Sequence, residues 1–115
     1  MRRIFVETDL FKNLVDEESE EGLEKRVKDL ILQDPSKGSV ISGTGGLRKI
    51  GLAKIGSGKS GGYRVIYLDL EAHEVTYLLL IYGKNVQENL TSEQNKALRK
   101  KVEEIKDEYK KKSHK

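Results

Sequence analysis

The dipeptide Asp34-Pro35 divides this chain by hydrophobic period. Ahead of it, Leu23, Val27, Leu30 and Ile31 recur at helical spacing and make one apolar stripe, which the proline and Gly38 bring to an end. Beyond it the period falls to two. Residues 63–70 and 75–82 are rich in β-branched and aromatic side chains and, with residues 47–54, predict three strands, with a shorter one over 39–41. Gly43-Thr44-Gly45-Gly46 reads as a turn, residues 55–61 as a hairpin loop and residues 71–74 as another turn. Consecutive strands joined this tightly are antiparallel.

The flanks add helices. Residues 2–8 alternate weakly and fit a first strand, after which Thr8 or Asp9 can cap a short helix carrying Leu10, Phe11, Leu14 and Val15. The acidic run over residues 16–21 is expected to open the second helix, where carboxylates meet the positive end of the helix dipole and need no catalytic role. A last helix begins at Thr91, whose hydroxyl and Gln94 can form a capping box, although the apolar staple from Leu90 would meet Asn95 and is absent. Its buried stripe is Leu98, Val102, Ile105 and Tyr109. The expected fold is α+β: an N-terminal strand and two helices, a twisted antiparallel sheet and a C-terminal helix, with the helices on one side of the sheet. One domain is expected over residues 1–109, followed by a basic flexible tail over 110–115.

Composition removes several chemistries. Cysteine is absent, so disulfides, thiolate nucleophiles and thiolate metal sites are excluded together. His73 and His114 stand far apart and carry no triad pattern; no metal and no cofactor are expected. The longest apolar stretch, residues 77–82, falls far short of the ~20 residues that span a bilayer, and a cytoplasmic protein is expected. The stretch GSGKSGGYRVIY over residues 56–67 looks like a phosphate-cradling loop, but Ala53 stands where the first glycine belongs and a strand follows instead of a helix. It reads as a basic loop between two strands.

Charge is distributed unevenly. Residues 1–34 hold six Lys or Arg against ten Asp or Glu, whereas residues 35–115 hold sixteen against nine. From Pro35 through Leu68 the charged residues are Lys37, Arg48, Lys49, Lys54, Lys59 and Arg64, with no acid among them. Such a segment suits a polyanion, since each neutralised phosphate releases counterions. Arginine, lysine and tyrosine also suffice for RNA cleavage, because RNA carries its own nucleophile in the 2′-hydroxyl. An enzyme then needs to align that oxygen and stabilise charge on the phosphate. Arginine holds two phosphate oxygens in one planar fork, and lysine crowded by like charge can exchange a proton near neutral pH.

Residues 43–50 (GTGGLRKI), 58–67 (GKSGGYRVIY) and 77–85 (YLLLIYGKN), with the Leu90-Thr91 helix start, together resemble RelE-superfamily toxins of the HigB-like branch. The resemblance runs from about Phe5 to Val102. It implies the toxin of a bacterial type II toxin–antitoxin system, a metal-independent endoribonuclease that cuts mRNA in the ribosomal A site. Its partners would be mRNA, ribosomal RNA and a cognate antitoxin of the helix-turn-helix DNA-binding kind. By position, Arg64 matches the family arginine that holds the scissile phosphate, and Lys49 a strand lysine near the nucleophile. Tyr82 and Lys84 complete the catalytic candidates, while Arg48, Lys54, Lys59 and Asn85 are candidates for RNA binding. The family often has a second cation where this chain has Gly51, and some members have arginine in place of Asn85. Those departures leave open a noncatalytic toxin of the same fold that inhibits a protein target such as gyrase. Lys49 and Arg64 share a sheet face only if paired residues of their hairpin sum to an odd number; an even register would favour Arg48.

Overall fold

The structure is a computed structural model that describes residues 2–55, 62–87 and 89–113. β1 (Ile4–Glu7) leads into α1 (Asp9–Glu17), capped by Thr8, whose hydroxyl oxygen accepts from the Phe11 N–H at 3.1 Å. α2 spans Leu23–Gln33 and closes on Asp34, whose carboxylate accepts from the Ser36 N–H at 3.0 Å. Then come β2 (Ser39–Val40), β3 (Arg48–Ala53), β4 (Gly62–Leu70), a 3-10 turn (Glu71–His73) and β5 (Val75–Gly83). α3 (Ser92–Ser113) follows a complete capping box: the Gln94 N–H reaches the Thr91 hydroxyl at 3.1 Å and the Thr91 N–H reaches the Gln94 side chain at 3.0 Å.

The strands lie in the order β1-β5-β4-β3-β2. The four later strands pair antiparallel, and β1 joins the outer edge of β5 in parallel, which makes the sheet mixed. The helices do not share one side. Phe11 of α1 and Leu23, Val27 and Ile31 of α2 pack with Ile50, Tyr63, Val65 and Tyr67. Leu98, Val102 and Ile105 of α3 pack with Leu47, Ile66, Leu68, Leu79 and Leu80. The reason lies in β4, where Tyr63 and residues 65–68 are all buried, so both of its faces need an apolar cover. A register shift between Ile66 and Tyr67 pairs them with Leu80 and Leu78, leaving Leu79 as the extra residue. Leu79 and Leu80 consequently both join the α3 core.

The acidic run does not open α2. Asp16 and Glu17 finish α1, which the extended Glu18 ends, and the chain turns at Gly22, whose left-handed φ of 76° makes it the N-cap of α2. Glu20 instead ties this link to the sheet: it pairs with Arg26 and accepts from the Ile55 N–H at 3.3 Å and the Tyr63 hydroxyl at 3.4 Å. On the same side, the Tyr67 hydroxyl donates to the Pro35 carbonyl at 2.8 Å and accepts from the Gly38 N–H at 3.0 Å. A Cβ at residue 38 would stand 2.6 Å from that hydroxyl and 2.9 Å from the Lys49 carbonyl, so the contact requires glycine.

Burial pushes the Tyr63 phenol up to about 12, with Glu20 adding to the shift, and burial likewise raises Tyr67 and Tyr77. The unfolded chain ionises its tyrosines near ~10, so these groups contribute their full stability below that pH and lose it as pH rises through the folded values. The urea midpoint should therefore hold between pH 8 and 9.5, apart from other groups, and fall progressively above pH ~10. A midpoint that stays flat to pH 12 would show the phenols to be solvated.

Candidate functional site

Paired residues of β3 and β4 sum to an odd number: Gly51 faces Arg64 and Lys49 faces Ile66. Side chains alternate along a strand, so Lys49, the Gly51 position and Arg64 share one face, the face that α3 covers farther along at Ile66. Across the other edge of β4, Arg64 pairs with Tyr82. Arg64 is thus the centre of a row running from Gly51 through itself to Tyr82 on three neighbouring strands.

Gly51 leaves room that another side chain fills. The Lys84 ammonium lies 2.9 Å from where a Cβ on Gly51 would be, and its Cδ and Cε lie 3.5 and 3.6 Å from the corresponding point on Gly62. Two glycines opposite and beside Arg64 form a shallow trough, and the Lys84 stem lies in it. The backbone holds the turn in place, because the Lys84 N–H donates to the Gly62 carbonyl at 2.9 Å. Lys84 therefore brings a cation to the cross-strand position facing Arg64, where directly paired residues have Cβ atoms ~5 Å apart.

None of Lys49, Arg64 and Lys84 is paired with a carboxylate among the described residues, whereas Arg3, Lys25, Arg26, Lys28 and Arg99 all are. Arg64 Nε and the Tyr82 hydroxyl are buried without a hydrogen-bond partner among those residues. Burial raises the Tyr82 pKa and the nearby Arg64 charge opposes the shift, so the phenol stays protonated at neutral pH and acts as a donor. Beside it lies a cavity of about 90 Å³ bounded by Lys49, Ile66 and Tyr82 of the sheet and by Leu90 and Asn95 at the start of α3. A larger hollow of about 600 Å³ along α1 and α2 is lined by Asp16, Glu18, Glu20 and Glu24 against Lys25 and Lys28, a net negative charge that does not suit a phosphate.

The remaining candidates are dispersed. Arg48 points to the opposite face, where its guanidinium donates to the carbonyls of Ser36 at 2.9 Å and Gly38 at 2.6 Å and braces the loop after α2. Lys54 lies 5.8 Å from the ring centre of Tyr63, a residue of the α1–α2 core. Asn85 is exposed in the turn after β5, its carbonyl oxygen folded over Gly83. Lys59 falls outside the described residues. Asn95 was not among the expected site residues, yet it lines the cavity, and its Oδ1 is buried without a hydrogen-bond partner among the described residues. Its one trace in the sequence is the missing staple, an amide where the helix start calls for an apolar side chain. Among the described residues no cluster of His, Asp and Glu fits a metal ion, and no helix is long and apolar enough to cross a membrane.

The fold is an α+β domain, a helix-flanked sheet whose strand pairing sets Lys49 and Arg64 on one face without a carboxylate partner among the described residues. Residues 6–114 match the family of the RelE toxin of the RelE/RelB toxin–antitoxin system, and the chain belongs to that family. It is the toxin of such a pair, with a cognate antitoxin as partner.

Two tyrosines provide a matched test. Tyr67→Phe strands the Gly38 N–H and should cost about 1–3 kcal/mol of stability. Tyr82→Phe removes a buried hydroxyl that has no partner among the described residues and should leave the urea midpoint unchanged or raise it while lowering toxicity. Equal destabilisation by both would contradict the distinction between a structural and a site tyrosine.

Proposed function

We propose that this toxin is a metal-independent endoribonuclease that cuts mRNA in the ribosomal A site. The ribose 2′-oxygen gives up its proton and bonds to phosphorus as the bond to the 5′-oxygen breaks, and that oxygen takes up a proton, which leaves a 2′,3′-cyclic phosphate and a 5′-hydroxyl. The observation that carries this reading is the Arg64 guanidinium, placed mid-row on three strands with no carboxylate to neutralise it among the described residues. Its fork takes the nonbridging phosphate oxygens, where a preorganised donor is worth ~3 kcal/mol toward the transition state. Lys84 opposes the same developing charge from across Gly51, and Lys49 lies two residues along that strand, beside the attacking ribose. Tyr82, kept neutral, donates a hydrogen bond and does not accept the proton.

Family membership supports mRNA as the substrate and the translating ribosome as the place of action, which would put the protein in the cytoplasm. The GTGGLRKI and YLLLIYGKN motifs support the HigB-like branch. Antitoxin binding would relieve toxicity by masking the cationic face or by barring entry to the ribosome.

Arg64→Ala should abolish growth arrest and the new mRNA ends seen by primer extension, with antitoxin binding retained. Lys84→Ala should lower cleavage by a factor of ~100, and adding Gly51→Lys should restore much of it, because the stem of the new lysine enters the volume that Lys84 vacates and carries an ammonium on the same face as Arg64. Growth arrest without new ends within codons, or full toxicity of Arg64→Ala, would sink the nuclease and favour a noncatalytic toxin acting on a protein.

A further inference from the structure

We propose that the cavity beside Lys49 receives the Watson–Crick edge of an amino-bearing nucleobase, adenine or cytosine, and that Asn95 is the residue that reads it. The proposal rests on the ribonuclease reading and adds a sequence preference to it.

The cavity has the right size and walls. At about 90 Å³ it holds some three times the ~30 Å³ share of a liquid water, enough for the edge of one base and too little for a nucleotide. Ile41, Ile66 and Leu90 supply apolar surface for the faces of a ring. Lys49 and Tyr82 belong both to this cavity and to the cationic row, so a base seated here keeps its phosphate within the reach of Arg64.

The polar groups specify what enters. Asn95 Oδ1 and the Tyr82 hydroxyl are both buried without a partner among the described residues, and buried polar atoms in folded proteins are nearly always satisfied. The start of α3 gives no local reason for this. Its capping box is formed, and the Asn95 N–H reaches the Thr91 carbonyl at 2.9 Å, as in any regular first turn. Only the side chain departs from the helix-start pattern, placing a carboxamide where an apolar residue would pack on Leu90. Oδ1 requires a donor, and the phenol, held protonated by burial, offers one. An exocyclic amine next to a ring-nitrogen acceptor answers both, and adenine and cytosine present that pair on their Watson–Crick edges. Uracil offers Oδ1 a single ring N–H flanked by two carbonyl oxygens, whose partial charge repels the amide oxygen. Asparagine is the side chain that commonly pairs with adenine through its amino group.

The test uses the intact toxin and two readouts. In a nitrogen-15 NMR titration, adenosine and cytidine 3′-monophosphates should shift the backbone amides of Lys49 and Tyr82 with at least tenfold tighter binding than uridine 3′-monophosphate. Asn95→Leu should abolish that response while raising the thermal midpoint, since leucine completes the staple and shows that the variant folds. In cells, mapped 5′-hydroxyl ends should be enriched for A or C at one position flanking the cut, and Asn95→Leu should flatten that enrichment severalfold. An equal response to uridine 3′-monophosphate, or the same base distribution at Arg64-dependent cuts in both proteins, would overturn the pocket and leave the nuclease standing. Asn95-dependent nucleotide binding in a protein that makes no RNA ends would do the reverse.

Discussion

The pairing of β4 with a strand on each side determines the rest of this molecule. β4 carries Tyr63, Val65 and Tyr67 toward α1 and α2, and Ile66 and Leu68 toward α3, so it is the common wall of two cores. Arg64 is the one position over residues 62–68 that escapes full burial, and it opens on the α3 side where that helix begins. A one-residue slip against β3 would exchange the two faces, driving Arg64 into the α1–α2 core and setting Tyr63, Val65 and Tyr67 on the α3 side. The same hydrophobic pattern that folds the sheet therefore holds the guanidinium beside Gly51 and Tyr82.

Two neighbouring cations show how parity decides role. Arg48 and Lys49 are adjacent in sequence and both half-buried, yet Arg48 faces the end of α2 and spends its donors on the Ser36 and Gly38 carbonyls. Lys49 faces the other way, into the cavity with Tyr82. A similar division runs through the charges as a whole. Cations on α2 are matched by Glu7, Glu20, Glu24 and Asp29, while those around Arg64 have no carboxylate partner among the described residues. Like charges held close without compensation cost stability, and a polyanion that binds there recovers that cost.

Local features of this fold were legible in the sequence. Asp34-Pro35 ends α2, Thr8 and Thr91 cap the helices that follow them, and the three long strands lie where the period of two places them. What the sequence did not disclose depends on distant residues. Alternation marks a strand but not what covers each face, so the position of α3 was misjudged, and β1 reaches β5 across seventy residues of chain that leave no local trace. The acidic link was misread because charge preference at a helix start is weak beside the left-handed turn at Gly22. Of the expected site, Arg64, Lys49, Tyr82 and Lys84 come together because strand parity and one tight turn bring them together. Gly51 looked like a lost charge in one dimension; in three it is the space that Lys84 occupies.

The account stands or falls on a phosphate being stabilised by side chains alone while ribose supplies the nucleophile. The most direct measurement is single-turnover cleavage of an mRNA on the ribosome, against the same mRNA with one 2′-deoxynucleotide at the mapped cut. The account predicts cleavage of the all-ribose strand, ending in a 2′,3′-cyclic phosphate, and none at the deoxy position. Cleavage of the deoxy strand at that position, or products ending in a 3′-hydroxyl and a 5′-phosphate, would contradict it.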